Sequence, residues 1–307
     1  QGIKRQSAPP TVSVSVTFDA VLGSIGSGAG QFYAPSGIAV APQGDIDRLY
    51  VADSGNQRIQ YLNHGGDYVK QLGRFGVGPG EFNKPYALVA DYGHYLFVVD
   101  RDNHRVQQFD LRGVYVRQYP DEAKTQTRLR FPQGIALNSF GELYVVDTWN
   151  DRVVHFDRLG SLLDTIGGFG RGRGFMHRPT AVAVDRDDHF YVADSQNHRV
   201  QVFNHRGDFL LAFGQQGSGT GYLEEPQGLA VHEQGFVIVA DTGNDRVQVF
   251  DSDGRFLASI KELGSGAGQF SHPLGLAVSG DRLYVVDSGN HRIIRLILKI
   301  TSLTGGS

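Results

Sequence analysis

The chain has 307 residues, of which 40% are hydrophobic and 20% charged, with a net charge of -3. This composition supplies a substantial core, excludes the disordered class, and gives no overall attraction for nucleic acid or anionic lipid. There are no cysteines, which excludes disulfides, thiolate metal sites and a thiol nucleophile. No run approaches the roughly 18 apolar residues of a membrane helix.

In chain order, residues 1–17 read as an N-terminal extension that is partly strand, because "TVSVSV" at 11–16 alternates. The chain opens on Gln1 rather than Met, as a processed or trimmed product would. "FDAVLGSIGSGAGQF" at 18–32 has the form of a strand followed by a Gly-rich loop, and it matches "GRFLASIKELGSGAGQF" at 254–270. A repeat runs from the first of these segments to beyond the second. An Asp is followed by Asn three residues on and then by Arg, at Asp53-Asn56-Arg58, Asp100-Asn103-Arg105, Asp147-Asn150-Arg152, Asp194-Asn197-Arg199, Asp241-Asn244-Arg246 and Asp287-Asn290-Arg292. Successive Asp residues are 47, 47, 47, 47 and 46 positions apart. A proline keeps the same phase, at Pro35, Pro85, Pro132, Pro179, Pro226 and Pro273.

Each unit holds four short runs rich in Val, Ile, Tyr and Phe, split by Gly and Asn. The runs are a first strand after the Pro ("GIAV" at 37–40), a second ending at the Asp ("LYVAD"), a third after the Asn ("RVQVF" at 199–203) and a fourth after a Gly turn ("GDFLLAFG" at 207–214). Such runs are strand signals, and four strands per unit of this length is the arithmetic of a propeller blade. The expected fold is all-β, a six-bladed β-propeller of four-stranded antiparallel blades spanning residues 18–300. The sixth unit has no fourth run before the tail at 301–307, which reads as flexible. The N-terminal strand is therefore expected to complete the last blade, close the ring and remove a sheet edge.

The repeat resembles that of the NHL-repeat propellers over about residues 18–300. The "GxGxGQF…P" loop is intact as "GSGAGQF" before blades 1 and 6 and nearly so as "GVGPGEF" before blade 2. It is degraded in "GSGTGYLEEP" and lost in "YPDEAKTQTRLRFP" before blade 3. Relatives in that family include RNA-binding regions of animal ubiquitin ligases, the extracellular sensor of a bacterial kinase and a peptide-amidating lyase. The resemblance implies the fold and leaves function open, because function resides in sites grafted on folds.

The shared residues read as structural. Asp53, Asp100, Asp147, Asp194, Asp241 and Asp287 accept turn N–H groups, Asn tolerates a left-handed conformation, and Arg58, Arg105, Arg152, Arg199, Arg246 and Arg292 pair across the turn or between blades. His104, His198 and His291 fall in blades 2, 4 and 6, but third strands lie too far from the axis for their rings to share a metal.

Function is expected where the blades differ, and three places stand out. The residues after each Pro should ring the channel on the top face: Ser36, Tyr86, Gln133, Thr180, Gln227 and Leu274. That mixture suits a small polar ligand or ordered water. At the other mouth, Asn138, Asp185 and His232 come from consecutive blades and are candidates for a channel-bound cation. No other cofactor is expected. On the top loops, Arg74 and Lys84 precede blade 2, Lys124, Arg128 and Arg130 precede blade 3, and Arg171, Arg173 and Arg178 precede blade 4. The single tryptophan, Trp149, sits among them where sister turns hold Gly55, Asp102, Gln196, Gly243 and Gly289.

The main expectation is a non-catalytic binding or interaction module, an extracellular sensor or scaffold. It would recognise protein or peptide with its top face through Trp149, Arg128, Arg171, Arg173 and Arg74. Its expected location is extracellular, periplasmic or on the cell surface, or cytoplasmic within a ubiquitin-ligase-like chain; membrane insertion is not expected. Two alternatives stand beside it: single-stranded RNA binding through the basic loops of blades 2 to 4, and a channel-mouth lyase or hydrolase.

Overall fold

The computed structural model describes residues 11–43, 46–91, 94–261 and 269–303. Six four-stranded antiparallel sheets form a ring. In blade 1 the strands run Gly37–Gln43, Ile46–Asp53, Arg58–Leu62 and Tyr68–Leu72, from the innermost outward. Blades 2 to 5 repeat this order. In blade 6 the three strands Pro273–Ser279, Arg282–Asp287 and Arg292–Leu303 are completed on the outside by Thr11–Leu22 from the other end of the chain. The N-terminal strand is thus one continuous element that begins within the 1–17 extension. Its pairing partner runs to Leu303, taking in the first three residues of the expected flexible tail at 301–307, because Thr301–Leu303 pair with Thr11–Ser13. The rest of that tail lies outside the described residues.

The hydrophobic core is divided among the blade interfaces. Each of six buried clusters joins two neighbouring blades, for example Tyr144, Phe190 and Phe203 between blades 3 and 4. The alternation of the strands dictates this, since each blade has two buried faces and each face packs on a neighbour. Close to the axis the inner strands crowd. A Cβ on Gly228 would lie 1.8 Å from the Leu274 carbonyl oxygen of the next blade, so only glycine fits there. No helix of the described residues is long and apolar enough to cross a membrane.

Second and third strands are joined by one turn of 3-10 helix, as at Ser54–Asn56 and Thr148–Asn150. The left-handed residue is the one after the Asn, at Gln57, His104, Asp151, His198, Asp245 and His291. The sequence reading placed that tolerance at the Asn itself. The Asn remains helical because its side chain is tied back to the Asp, at 2.9 Å from Asn103 Nδ2 to Asp100 Oδ2.

Candidate functional site

All six repeat Asp residues are fully buried, and each is ion-paired with the Arg five positions on at 2.6 to 2.9 Å. The other carboxylate oxygen accepts an N–H from the preceding top loop, as Asp53 Oδ1 does from Tyr33 at 2.8 Å. The Arg also holds that loop: Arg58 Nη2 donates to the carbonyls of Gly28 and Gln31 at 2.8 and 3.0 Å. Burial raises the carboxyls of Asp100 and Asp194 above their ordinary value, against hydrogen bonds that act to lower them.

A glutamine two residues after the Arg belongs to the same clamp, and the sequence reading missed it. Gln60 Oε1 accepts from Gly30 N–H at 2.9 Å, while its Nε2 donates to Asp53 at 3.1 Å. Gln107, Gln201 and Gln248 repeat the pattern. Its signal was the recurring "RxQ" at the head of the third strand, present in four of six units: Arg58-Gln60, Arg105-Gln107, Arg199-Gln201 and Arg246-Gln248.

The left-handed residues fasten one blade to the next. His291 Nδ1 accepts from Ala34 N–H, His104 Nδ1 from Phe131 and His198 Nδ1 from Glu225, at 2.9 to 3.1 Å. Gln57, Asp151 and Asp245 do the same with side-chain oxygens toward Lys84, Arg178 and His272. The three histidines are therefore divided among separate blade interfaces.

Ser36, Tyr86, Gln133, Thr180, Gln227 and Leu274 do converge, and together with the backbone behind them they line a channel cavity of about 70 Å³. That holds a few water molecules and is far below the ~300 Å³ at which small-molecule pockets begin. Tyr86 Oη reaches across to Gln227 Oε1 at 3.4 Å, and burial raises its pKa above the ordinary phenol value, with Arg101 opposing. Ser36 and Thr180 bond to carbonyls of the following blade, at Tyr86 and Pro226. Gln133 Oε1 is buried with no protein partner.

The expected cation trio is held apart by its own turns. Asn138 Oδ1 accepts from Phe140 and Glu142, Asp185 Oδ1 accepts from Asp187 and His189, and His232 Nδ1 accepts from Gln234 while Nε2 meets the Gly280 carbonyl. Each side chain closes the hairpin that follows its inner strand. The ligand atoms that do cluster within 4.8 Å are those of Asp185, Asp187 and His189, inside one surface turn.

The basic loops split into paired and stacked members. Arg74 is paired with Glu81 at 2.8 Å and Arg128 with Glu122 at 2.5 Å. The Glu81 carboxyl is held below its ordinary value, first by the Gly78 N–H and then by Arg74. Arg173 lies over the Phe209 ring, 5.9 Å from its centroid. The neighbours of Trp149 are others. Phe131 packs on it at 5.0 Å between centroids, Arg178 lies 3.8 Å from its centroid and Arg130 5.2 Å. Phe131 in turn carries Arg101 at 5.4 Å, and Arg101 also covers Tyr86 at 5.7 Å. A row of aromatic and cationic groups thus runs from the channel mouth outward: Tyr86, Arg101, Phe131, Trp149, Arg178. Trp149 keeps 37% of its surface exposed. Arg101 and Phe131 were not singled out by sequence, and Arg130 only as one of the basic residues of the top loops, because the row exists only once three blades are side by side.

Comparison with known proteins supplies the family. NHL repeats match residues 129–156, 176–203, 223–250 and 270–296, and a model described as a 6-bladed beta-propeller matches residues 43–134. The chain is a six-bladed β-propeller that carries four NHL repeats. Each matched repeat begins three residues before the Pro and runs through the two inner strands into the third. No curated protein matches the sequence significantly. Among solved structures, a gluconolactonase from Xanthomonas campestris is 15% identical with a TM-score of 0.67, covering 95% of this chain and 99% of its own. Virginiamycin B lyase from Staphylococcus aureus is 12% identical with a TM-score of 0.60, covering 94% and 99%. An auxiliary nutrient binding protein from Bacteroides thetaiotaomicron is 14% identical with a TM-score of 0.64, covering 94% of this chain and 77% of that one. At these identities the likeness is one of fold.

Proposed function

We propose that this NHL propeller is a non-catalytic binding module whose top face recognises a protein or peptide through the row from Tyr86 to Arg178. The observation that carries the reading is the setting of Trp149. It is 37% exposed at a turn position where sister blades need no aromatic, and it is held by Phe131 and two guanidinium groups. An aromatic pre-positioned by arginines is the commonest composition of a binding hot spot, since little side-chain freedom remains to be lost on contact. Catalysis in the channel has less support, because about 70 Å³ excludes an ordinary substrate from the axis. Base stacking has less support too, because Arg178 already lies on the indole and Arg74, Arg128 and Arg101 are neutralised by neighbouring carboxylates.

The test is selection of peptides from a displayed random library on the intact propeller, followed by calorimetry with the native protein and Trp149→Ala. A loss of roughly thirtyfold or more, the minimum for a hot spot, is expected at unchanged melting temperature. Equal affinity of both proteins would remove this face. Tight binding of single-stranded RNA with steep salt dependence would replace the protein reading by the nucleic-acid one.

A further inference from the structure

The clamp arginines offer an internal control, because the same side chain is built in every blade. In three of them every nitrogen of the guanidinium has a partner. Nη1 of Arg58 donates to Gln71 at 2.7 Å, Nη1 of Arg105 to Gln118 at 3.2 Å and Nη1 of Arg246 to the Ser218 carbonyl at 2.9 Å. Blade 4 departs from this. Arg199 is fixed by Nε to Asp194 and by Nη2 to the carbonyls of Gly172 and Phe175, while Nη1 has no protein partner among the described residues. In blades 1 and 2 the Nη1 partner comes from the outer strand. Gln71 and Gln118 stand opposite Gln60 and Gln107 in the ladder, and the residue opposite Gln201 is Ala212.

Beside Arg199 lies a cavity of about 230 Å³, lined by Arg171, Gln196, Asn197, His198, Arg199 and Gln216. Arg171 has no carboxylate partner among the described residues. His198 accepts the Glu225 N–H at Nδ1, so the proton of its neutral ring sits on Nε2, as a donor. Opposing charge is close but committed. Glu224 meets Gln216 at 3.3 Å and His198 at 3.5 Å, and Asp194 is held by its own clamp. Blade 3 also leaves Nη1 of its clamp arginine, Arg152, without a protein partner among the described residues. Its loop residue matching Arg171 is Lys124, however, and Lys124 is bound to Asp121 and the Leu159 carbonyl. Among the described residues, blade 4 joins a free guanidinium edge to a second guanidinium with no carboxylate partner.

We infer that the cavity between blades 4 and 5 is an oxyanion site, taking a carboxylate or phosphate group between Nη1 of Arg199 and the guanidinium of Arg171. Two guanidinium groups at one cavity favour a planar or tetrahedral oxyanion, whose oxygens match their divergent donors. Arg199 is pre-organised for this, since its other nitrogens are already fixed in the fold. The site shares no residue with the Trp149 row, so it stands or falls separately from the proposed peptide face.

The experiment is titration of the full chain with inorganic phosphate and, separately, with acetate, followed by NMR of backbone and arginine side-chain N–H groups. Three variants accompany the native protein: Arg171→Ala, Ala212→Gln and Trp149→Ala. Saturable shifts at His198, Arg199 and Gln216 are expected, weakened about tenfold in Arg171→Ala and in Ala212→Gln. The second substitution restores the glutamine of blades 1 and 2 and caps Nη1, so it should block the site while keeping or raising the melting temperature. Trp149→Ala should leave the titration unchanged. Response to phosphate alone would identify a phosphoryl group as the ligand, and response to acetate alone a carboxylate. No saturable shift with either ion, or equal shifts in Ala212→Gln and the native protein, would overturn the inference.

Discussion

Blade 5 and blade 3 carry the same Asp–Arg clamp and use it differently. In blade 5, Arg246 is bonded to Asp241 and to the carbonyls of Ser218, Gly219 and Tyr222, and its side chain is 9% exposed. Gln248 adds bonds to Gly221, Tyr222 and Asp241. In blade 3 the Gly-rich loop is replaced by residues 119–132, and the clamp has thinned with it. Arg152 keeps Asp147 and one carbonyl, Arg128 at 3.1 Å, with 25% of the side chain exposed. Val154 stands where blade 5 has Gln248. The clamp is thus maintained to the extent that there is a standard loop to hold. Where the loop has been rebuilt, its fasteners are reduced and Phe131 and Trp149 occupy the released surface.

The largest effect should separate the two arginines. Arg246→Ala leaves Asp241 buried without its cation and strips three loop carbonyls, which should cost about 3–5 kcal/mol. Arg152→Ala also leaves a buried Asp, but strips one loop carbonyl rather than three, so it should cost about 1–2 kcal/mol less. Urea unfolding of both variants checks this, and equal losses would show that the clamp serves the Asp alone and not the loop.

The contrast also marks what could be read before the structure. Asp, Asn, Arg and Pro recur in phase, so the blade count, the four strands and the ring closure through Thr11–Leu22 followed from spacing and from the missing outer strand of the last unit. Gln60 and its sisters escaped notice because a polar residue in a strand carries no sign of which carbonyl it meets. The aromatic–cation row was illegible for a geometric reason. Arg101, Phe131, Trp149 and Arg178 come from segments up to 77 positions apart, and only the angle between blades stacks them. Arg128, Arg171 and Arg173 looked equivalent to Arg130 and Arg178 because charge is visible in sequence and direction is not. The bonding of the cation candidates was hidden in the same way. Asn138, Asp185 and His232 share a position in the blade, but that position is a turn-closing one and each side chain is bonded within its own hairpin.

A smaller effect tests whether the glutamine follows the loop. Gln248→Val should cost about 1–3 kcal/mol by leaving the Gly221 N–H and the Tyr222 carbonyl with fewer partners. The reverse change in blade 3, Val154→Gln, should gain nothing, because no Gly-rich loop is present to bond the amide and the position is fully buried. Thermal unfolding of the pair decides it. A stabilising Val154→Gln would mean that the glutamine serves the Asp carboxylate in every blade, and the link between loop and clamp would be lost.

The smallest expected effect lies one residue further along the same strand. Blade 5 has Val249 there and blade 3 has His155, stacked on Tyr144 at 4.3 Å between centroids with Nε2 3.0 Å from Glu142. Burial lowers the pKa of His155 below the ordinary histidine value, and Glu142 opposes the shift without cancelling it. A depressed folded-state pKa means that the unfolded chain takes up the proton first. The contribution of the neutral ring to stability is therefore complete above the unfolded value, about 6.5, and is lost as pH falls below it toward the lower folded value. The native protein should lose melting temperature between about pH 7 and pH 5 more steeply than His155→Val, which gives blade 3 the residue of blade 5 and leaves every other titrating group in place. The comparison is one of slopes, so a uniform change in stability from the substitution does not affect it. Parallel slopes would show that His155 is protonated at no cost to the fold, and that the stack on Tyr144 and the contact with Glu142 accept the charged ring as readily as the neutral one.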